Sequence, residues 1–170
     1  DLPTIAKPGY HGATEDMVEA YYTVRVARRS QRYNCFQWGG VFYKALILLF
    51  GFALAPWFFT KICRVIVNFF GIIDAQALNY IDDWMWAKPK EALAEIMPTI
   101  RRMLERLGWL LSKDKQQMGS NIEFVGFNCH LQNRSYSVPQ LKVTTAVKVI
   151  RYLIRASERG TPVLRETLCS

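Results

Sequence analysis

The sequence predicts an α+β fold in which an antiparallel sheet carries helices on one face. Three observations carry that expectation. Short runs rich in Val, Tyr, Phe and Trp are joined in pairs by turn residues, as in "CFQWGGVFYK" and "ALNYIDDWMWA", which is how hairpins read. Longer runs read as helices: "LAPWFFTKICRVIVNFFG" has Pro56 near its first turn and Gly71 as a stop, and "KEALAEIMPTIRRMLERLGW" spaces its apolar residues at three- and four-residue steps. The strands and helices do not alternate strictly, so a parallel βαβ sheet is not indicated.

Taken in order, residues 1–14 hold two prolines and two glycines and read as an irregular opening segment. "MVEAYYTVRVA" (17–27) suits a strand, or a short helix followed by a strand, and "RRSQR" is a basic turn. "YNCFQW", "GG" and "VFYKALILL" read as strand, tight turn, strand. The uncharged run 45–59 is short for a membrane span and contains Gly51 and Pro56, so it reads as a core strand followed by a buried helix. In "NYIDDWMW" the strand is expected to end at Ile81, the acids to turn the corner, and Trp84–Ala87 to return. The following helix buries Leu93, Ile96, Met97, Ile100, Leu104 and Leu107; Pro98 predicts a kink or break, and Gly108 a stop. Residues 122–131 read as one strand and 137–157 as a second basic helix. A third helix opens with Thr161 as its cap and Pro162 at its first position.

Composition narrows the partners. The 170 residues are 51% hydrophobic and 14% aromatic, which excludes a disordered chain. Lys plus Arg outnumber Asp plus Glu by 22 to 14, and the resulting +8 favours a polyanion, either nucleic acid or an anionic membrane surface. Cys35, Cys63, Cys129 and Cys169 form no C-x-x-C pair, which argues against zinc and fits free thiols in a reduced, intracellular setting. The opening residues do not resemble a secretory signal.

Asp82 and Asp83 sit side by side among apolar and aromatic residues. A buried carboxylate is costly unless it is paired, hydrogen-bonded or bound to metal. A solvated turn is one reading. The other brings in Asp16 of "EDMVEAYYTV", which a sheet can place at the same edge. Converging carboxylates repel, and a divalent cation holds them as anions. Two magnesium ions about 3.5–4 Å apart serve in-line phosphoryl transfer in this way.

Asp16 with Ala20 and Tyr21, then "FQWGG", "FGFALAPWFFTKI", "YIDD", "LGWLLSKDK" and "IEFVGF" occur in the order and at about the spacing of the reverse transcriptase palm. Over residues 12–168 the chain resembles retrotransposon enzymes, DIRS-like or gypsy-like. The resemblance implies a polymerase palm at 15–136 and a helical connection toward a thumb at 137–170. It implies Asp16, Asp82 and Asp83 as ligands of two magnesium ions, with manganese as a substitute. Lys115 would act as general acid for the leaving pyrophosphate, with Lys113 as its rival. Tyr21 would screen the 2′-hydroxyl of the incoming nucleotide, Phe50 and Gly51 would pack against that nucleotide, and Phe124, Val125, Gly126 and Phe127 would grip the primer end. Implied partners are an RNA template, a DNA primer and deoxynucleoside triphosphates. Leu49 departs from the family, which has proline there. The residues before Asp16 are more polar than usual.

Other readings stand beside these. Tyr21, Trp38, Trp57, Trp84, Trp86 and Trp109 read first as core or sheet-face residues. "RRSQR" and "RRMLER" read as solvated faces, and neither His11 nor His130 is given a catalytic role. The family's fingers segment does not precede Asp16 in this sequence. The alternative is therefore a domesticated or degenerate palm, a non-catalytic structural piece that binds RNA or neighbouring proteins. No membrane partner is expected.

Overall fold

The centre of the fold is a strand, β1, from His11 to Val18, seen in a computed structural model that describes residues 2–160. It begins inside the segment expected to be irregular, because Gly12 and the small Ala13 and Thr14 let neighbouring layers close over it. A short helix, α1 (Leu2–Ile5), precedes it. After Val18 the chain makes a 3-10 turn at Ala20–Thr23, and no strand follows beyond a single bridge between Arg25 and Ile47.

β2 (Cys35–Trp38) and β3 (Val41–Lys44) form the expected hairpin through Gly39 and Gly40, both with positive φ. Only glycine or a few polar residues take that conformation cheaply, which is why the turn is Gly-Gly. This hairpin stands apart from the main sheet, so Trp38 is 77% exposed rather than core. Residues 45–54 form no strand, and the helix α2 (Ala55–Ile72) is not buried as expected. It buries one stripe, Ala55, Phe59, Cys63 and Phe70, because only one side meets the sheet. Trp57, Phe58, Ile62, Val65, Phe69 and Ile72 face outward, and by length and composition the helix is apolar enough to cross a membrane.

β4 (Ala77–Tyr80) and β5 (Asp83–Lys88) pair with Tyr80 opposite Asp83. The turn is therefore Ile81-Asp82, one residue earlier than expected, and Asp83 already belongs to the returning strand. Helix α3 (Lys90–Arg106) runs unbroken through Pro98. Ala94 and Pro98 are both exposed, so the carbonyl that proline cannot serve lies on the solvent side. Leu93, Met97, Ile100 and Leu104 are buried, Ile96 is half-buried and Leu107 is exposed, since the helix ends there and Gly108, at positive φ, turns the chain away.

β6 (Leu110–Leu111), β7 (Gln117–Gly119), β8 (Asn121–Phe124), β9 (Phe127–His130), β10 (Ser135–Ser137) and α4 (Gln140–Glu158) complete the described chain. The strand expected at 122–131 is a hairpin, β8–β9, because Val125 and Gly126 take positive φ and reverse the chain. His130 bridges Asn121 and Ser137 across this small sheet, a structural role. The helix expected from Thr161 lies outside the described residues.

The main antiparallel sheet runs β4-β5-β1-β6, with β7 also pairing β1. One face carries Ala13, Met17, Trp84 and Trp86 against α2 and α3. The other carries Met85 and Ala87 against Ile122, Cys129 and Leu131. Trp84 and Trp86 stack at 5.8 Å and are almost wholly buried. Burying side chains of this size contributes roughly 1.5–3 kcal/mol each, so the tryptophan pair helps fix β5, and with it Asp83.

Candidate active site

Alternation along β1 points Glu15 toward the helices and Asp16 toward the opposite face. Asp16 lies directly across the ladder from Asp83, and the Met17 amide donates to the Asp82 carbonyl at 3.1 Å. The β4–β5 turn therefore sits on the end of β1. Ile81 holds a left-handed φ of 54°, which is strained for a β-branched residue. Asn79 Nδ2 braces it by donating to the carbonyls of Ile81 at 2.9 Å and Asp83 at 3.3 Å.

The three acids are half-buried and share one electrostatic field. Burial, then the charges of Asp82 and Asp16, push the Asp83 carboxyl above the usual carboxylate range. Burial, with the Asp82 charge behind it, also raises the Tyr21 phenol and lifts the Cys63 thiol to about 12. Lys115 comes from the 3-10 turn Lys113–Lys115 and donates to both oxygens of Asp16 at 3.1 Å. That contact, with the charges of Asp83 and Asp82 behind it, raises the Lys115 ammonium pKa.

Asp16, Asp83, Lys115, Phe124, Val125 and Gly126 line one cleft of about 430 Å³, which Asp114 and Glu123 also border. The tip of β8–β9 is held by Lys142 Nζ, which donates to the Gly126 carbonyl at 3.0 Å. Phe127 turns away from the cleft and meets Tyr136 edge-on at 5.7 Å. Tyr21 stands on the Asp82 side. It is buried, with its ring 4.8 Å from half-exposed Phe50 and 5.4 Å from Phe59. Gly51 follows at positive φ and lines no cavity with the acids. A second groove, about 370 Å³, runs from the β4–β5 turn along Trp57, Lys61 and Arg64 of α2. Trp57 is exposed there, with Lys61 Nζ 5.2 Å over its ring, so it is not core.

Carboxylates at one sheet edge are the donor type a hard divalent cation takes, and here a lysine ammonium sits on Asp16. Among the described residues no three ligating side chains form a ready-made cage, and Asp16 gives both oxygens to Lys115.

Sequence reasoning missed Glu15, Arg101 and Gln116. Arg101 Nε donates to Glu15 Oε1 at 2.6 Å and Gln116 Nε2 to Glu15 Oε2 at 2.8 Å. Arg101 of "RRMLER" is thus only partly solvated, with its guanidinium engaged by Glu15. The available signal was its place on α3, four residues after Met97 and three before Leu104, at the edge of the buried stripe.

Comparison with known proteins agrees with this architecture. The structure of the foamy viral protease-reverse transcriptase in complex with RNA/DNA hybrid is similar with a TM-score of 0.67 and 20% identity, over 82% of this chain and 19% of that one. The same foamy viral protein in complex with dsDNA gives 0.65 and 20%, over 79% of this chain and 27% of that one. The native prototype foamy virus protease-reverse transcriptase gives 0.62 and 24%, over 81% and 17%. This chain therefore spans between a sixth and somewhat over a quarter of the length of those proteins. No curated protein matches it. A family profile described as reverse transcriptase (RNA-dependent DNA polymerase) matches residues 6–129, and the chain belongs to that family.

Proposed function

We propose that residues 15–136 are the palm of an RNA-directed DNA polymerase of retrotransposon type, with 137–170 leading toward a thumb. The observation that carries this reading is the meeting of Asp16 and Asp83 across one ladder, with Asp82 and Lys115 in their field, at a cleft that ends on the β8–β9 tip. The family uses divalent metal ions. Asp16, Asp82 and Asp83 would hold two of them, magnesium or manganese. The bound ions would lower the pKa of a primer 3′-hydroxyl and neutralise the triphosphate of a deoxynucleotide.

The chain's own residues supply the rest. The tip Phe124–Gly126 supports the primer end beside the acids, and Phe127 steadies that hairpin through Tyr136. Lys115, on the cleft wall, would donate its proton to the departing pyrophosphate. Tyr21, beneath Phe50, shapes the wall next to the sugar, so that a 2′-hydroxyl meets a ring rather than space. The groove of Trp57, Lys61 and Arg64 offers cations and an aromatic face to the template. The complexes of the foamy viral protein with RNA/DNA hybrid and with dsDNA support nucleic-acid partners of this kind.

The test is primer extension on an RNA template by the protein with its flanking segments, with magnesium. Asp82→Asn keeps the size and removes the anion. Extension should fall at least ~10³-fold, about 4 kcal/mol of transition-state stabilisation. Melting without metal should be unchanged or higher, because Asp82 repels Asp83. Unchanged extension by Asp82→Asn would end the two-metal reading. An inactive parent would leave a non-catalytic palm in its place.

A further inference from the structure

Glu15 is a carboxylate that the proposed reaction does not use. Its side chain has no solvent exposure, and both of its oxygens are taken, one by Arg101 and one by Gln116. Gln116 follows Lys115 as Glu15 precedes Asp16. Two neighbours on β1 therefore reach two neighbours at the 3-10 turn: Glu15 bonds Gln116 on the inner side, and Asp16 pairs with Lys115 on the cleft side.

The strand ladder shows why such a link matters. On this edge β7 pairs β1 at residues 12–14 and β6 pairs it at residues 17–18. Residues 15 and 16 face the gap between them, where the 3-10 turn arches over. One backbone bond, Ser112 N–H to the Asp16 carbonyl at 2.9 Å, ties the near end of the arch. Lys115 is two-thirds exposed on a long flexible stem, so its own packing does not place it.

We infer that Glu15 is a positioning residue: held by Arg101, it fixes Gln116 and so sets the arch at the height where the Lys115 ammonium meets Asp16. The inference rests on the reading of Asp16 and Lys115 as site residues. Arg101 holds the buried carboxylate in one orientation, and Gln116 transmits that position to its neighbour.

A zero-length carbodiimide cross-link between Lys115 and Asp16, read by peptide mass spectrometry, reports their approach without turnover. The parent chain should give the link. Gln116→Leu should reduce its yield roughly 2- to 10-fold, the population shift that one lost hydrogen bond produces. Gln117→Leu is the control, because Gln117 makes two comparable bonds to the Glu123 backbone and none to Glu15. A melting curve accompanies each variant. Link yield lost in Gln116→Leu and kept in Gln117→Leu supports the inference. Equal yields in the two variants, or no link in the parent, overturns it. A parent that cross-links but does not extend a primer would remove the polymerase reading and leave this one standing.

Discussion

Arg101→Met should expose how much the buried Glu15 depends on its partner. The substitution keeps the length of the stem and removes the cation. Glu15 would then hold one hydrogen bond, from Gln116, with its side chain still fully enclosed. Breaking a buried pair costs about 3–5 kcal/mol. The Arg101 side chain is 31% exposed, so water softens the loss, and we expect about 3 kcal/mol near pH 8. For a chain of this size that is a fall in Tm of roughly 6–12 °C. The pH dependence has a definite sign. Burial already holds the Glu15 carboxyl above the ordinary glutamate range, against the pull of Arg101 and Gln116. Without Arg101 it rises further. A carboxyl whose folded pKa is raised contributes full stability below the ordinary glutamate range and loses it as pH rises through the folded value. The gap between parent and Arg101→Met should therefore be wide at about pH 8 and narrow at about pH 5. Thermal or urea melts at the two pH values measure it. Glu15→Leu combined with Arg101→Met should recover most of the loss, since two apolar groups leave no buried charge. An equal gap at both pH values, or no gap, would refute the reasoning.

Gly12→Ala should destabilise by about 1–3 kcal/mol in urea melts, because a Cβ there runs into Ile122 Cδ1. Adding Ile122→Val, which removes that methyl, should return part of the loss. Alkylation followed by peptide mapping should find Cys35, which is exposed, modified well before Cys63, whose thiol is buried and pushed up to about 12; equal labelling rates in the native protein would contradict the burial. In primer extension, Tyr21→Val should raise ribonucleotide incorporation at least ~10-fold, the scale of one steric contact. Tyr22→Val should leave it unchanged, and the reverse pattern would move the sugar-screening role to Tyr22.

The parts legible in the sequence were those written locally. The Gly-Gly hairpin, the stripe Leu93–Met97–Ile100–Leu104 and the Asp-Asp turn each lie within a few residues, and each is found, the last shifted by one position. The split of 122–131 was also local: Gly126 inside an apolar run was the signal of a reversal. What could not be read depends on distant partners. Glu15 is explained only by residues 101 and 116, and Gly12 only by Ile122. The outward face of α2 was misread because its apolar content suits burial on every side, while the sheet meets one stripe of it.

The central place of β1 also has a kinetic side. The hairpins β2–β3, β4–β5 and β8–β9 each close through two residues and can form early, within roughly 1–10 μs. β1 has no such neighbour. Its partners lie at 83–88 and 110–119, so its docking is the slow, non-local step. Asp16 comes to face Asp83 only then. During synthesis β1 emerges before every strand it pairs with, and roughly 5–20 s pass before β7 leaves the ribosome at ordinary elongation rates. Until β5 emerges β1 has no strand on either edge, and its second edge stays open until β6 and β7 follow, which makes the acid pair a late marker of the folding chain.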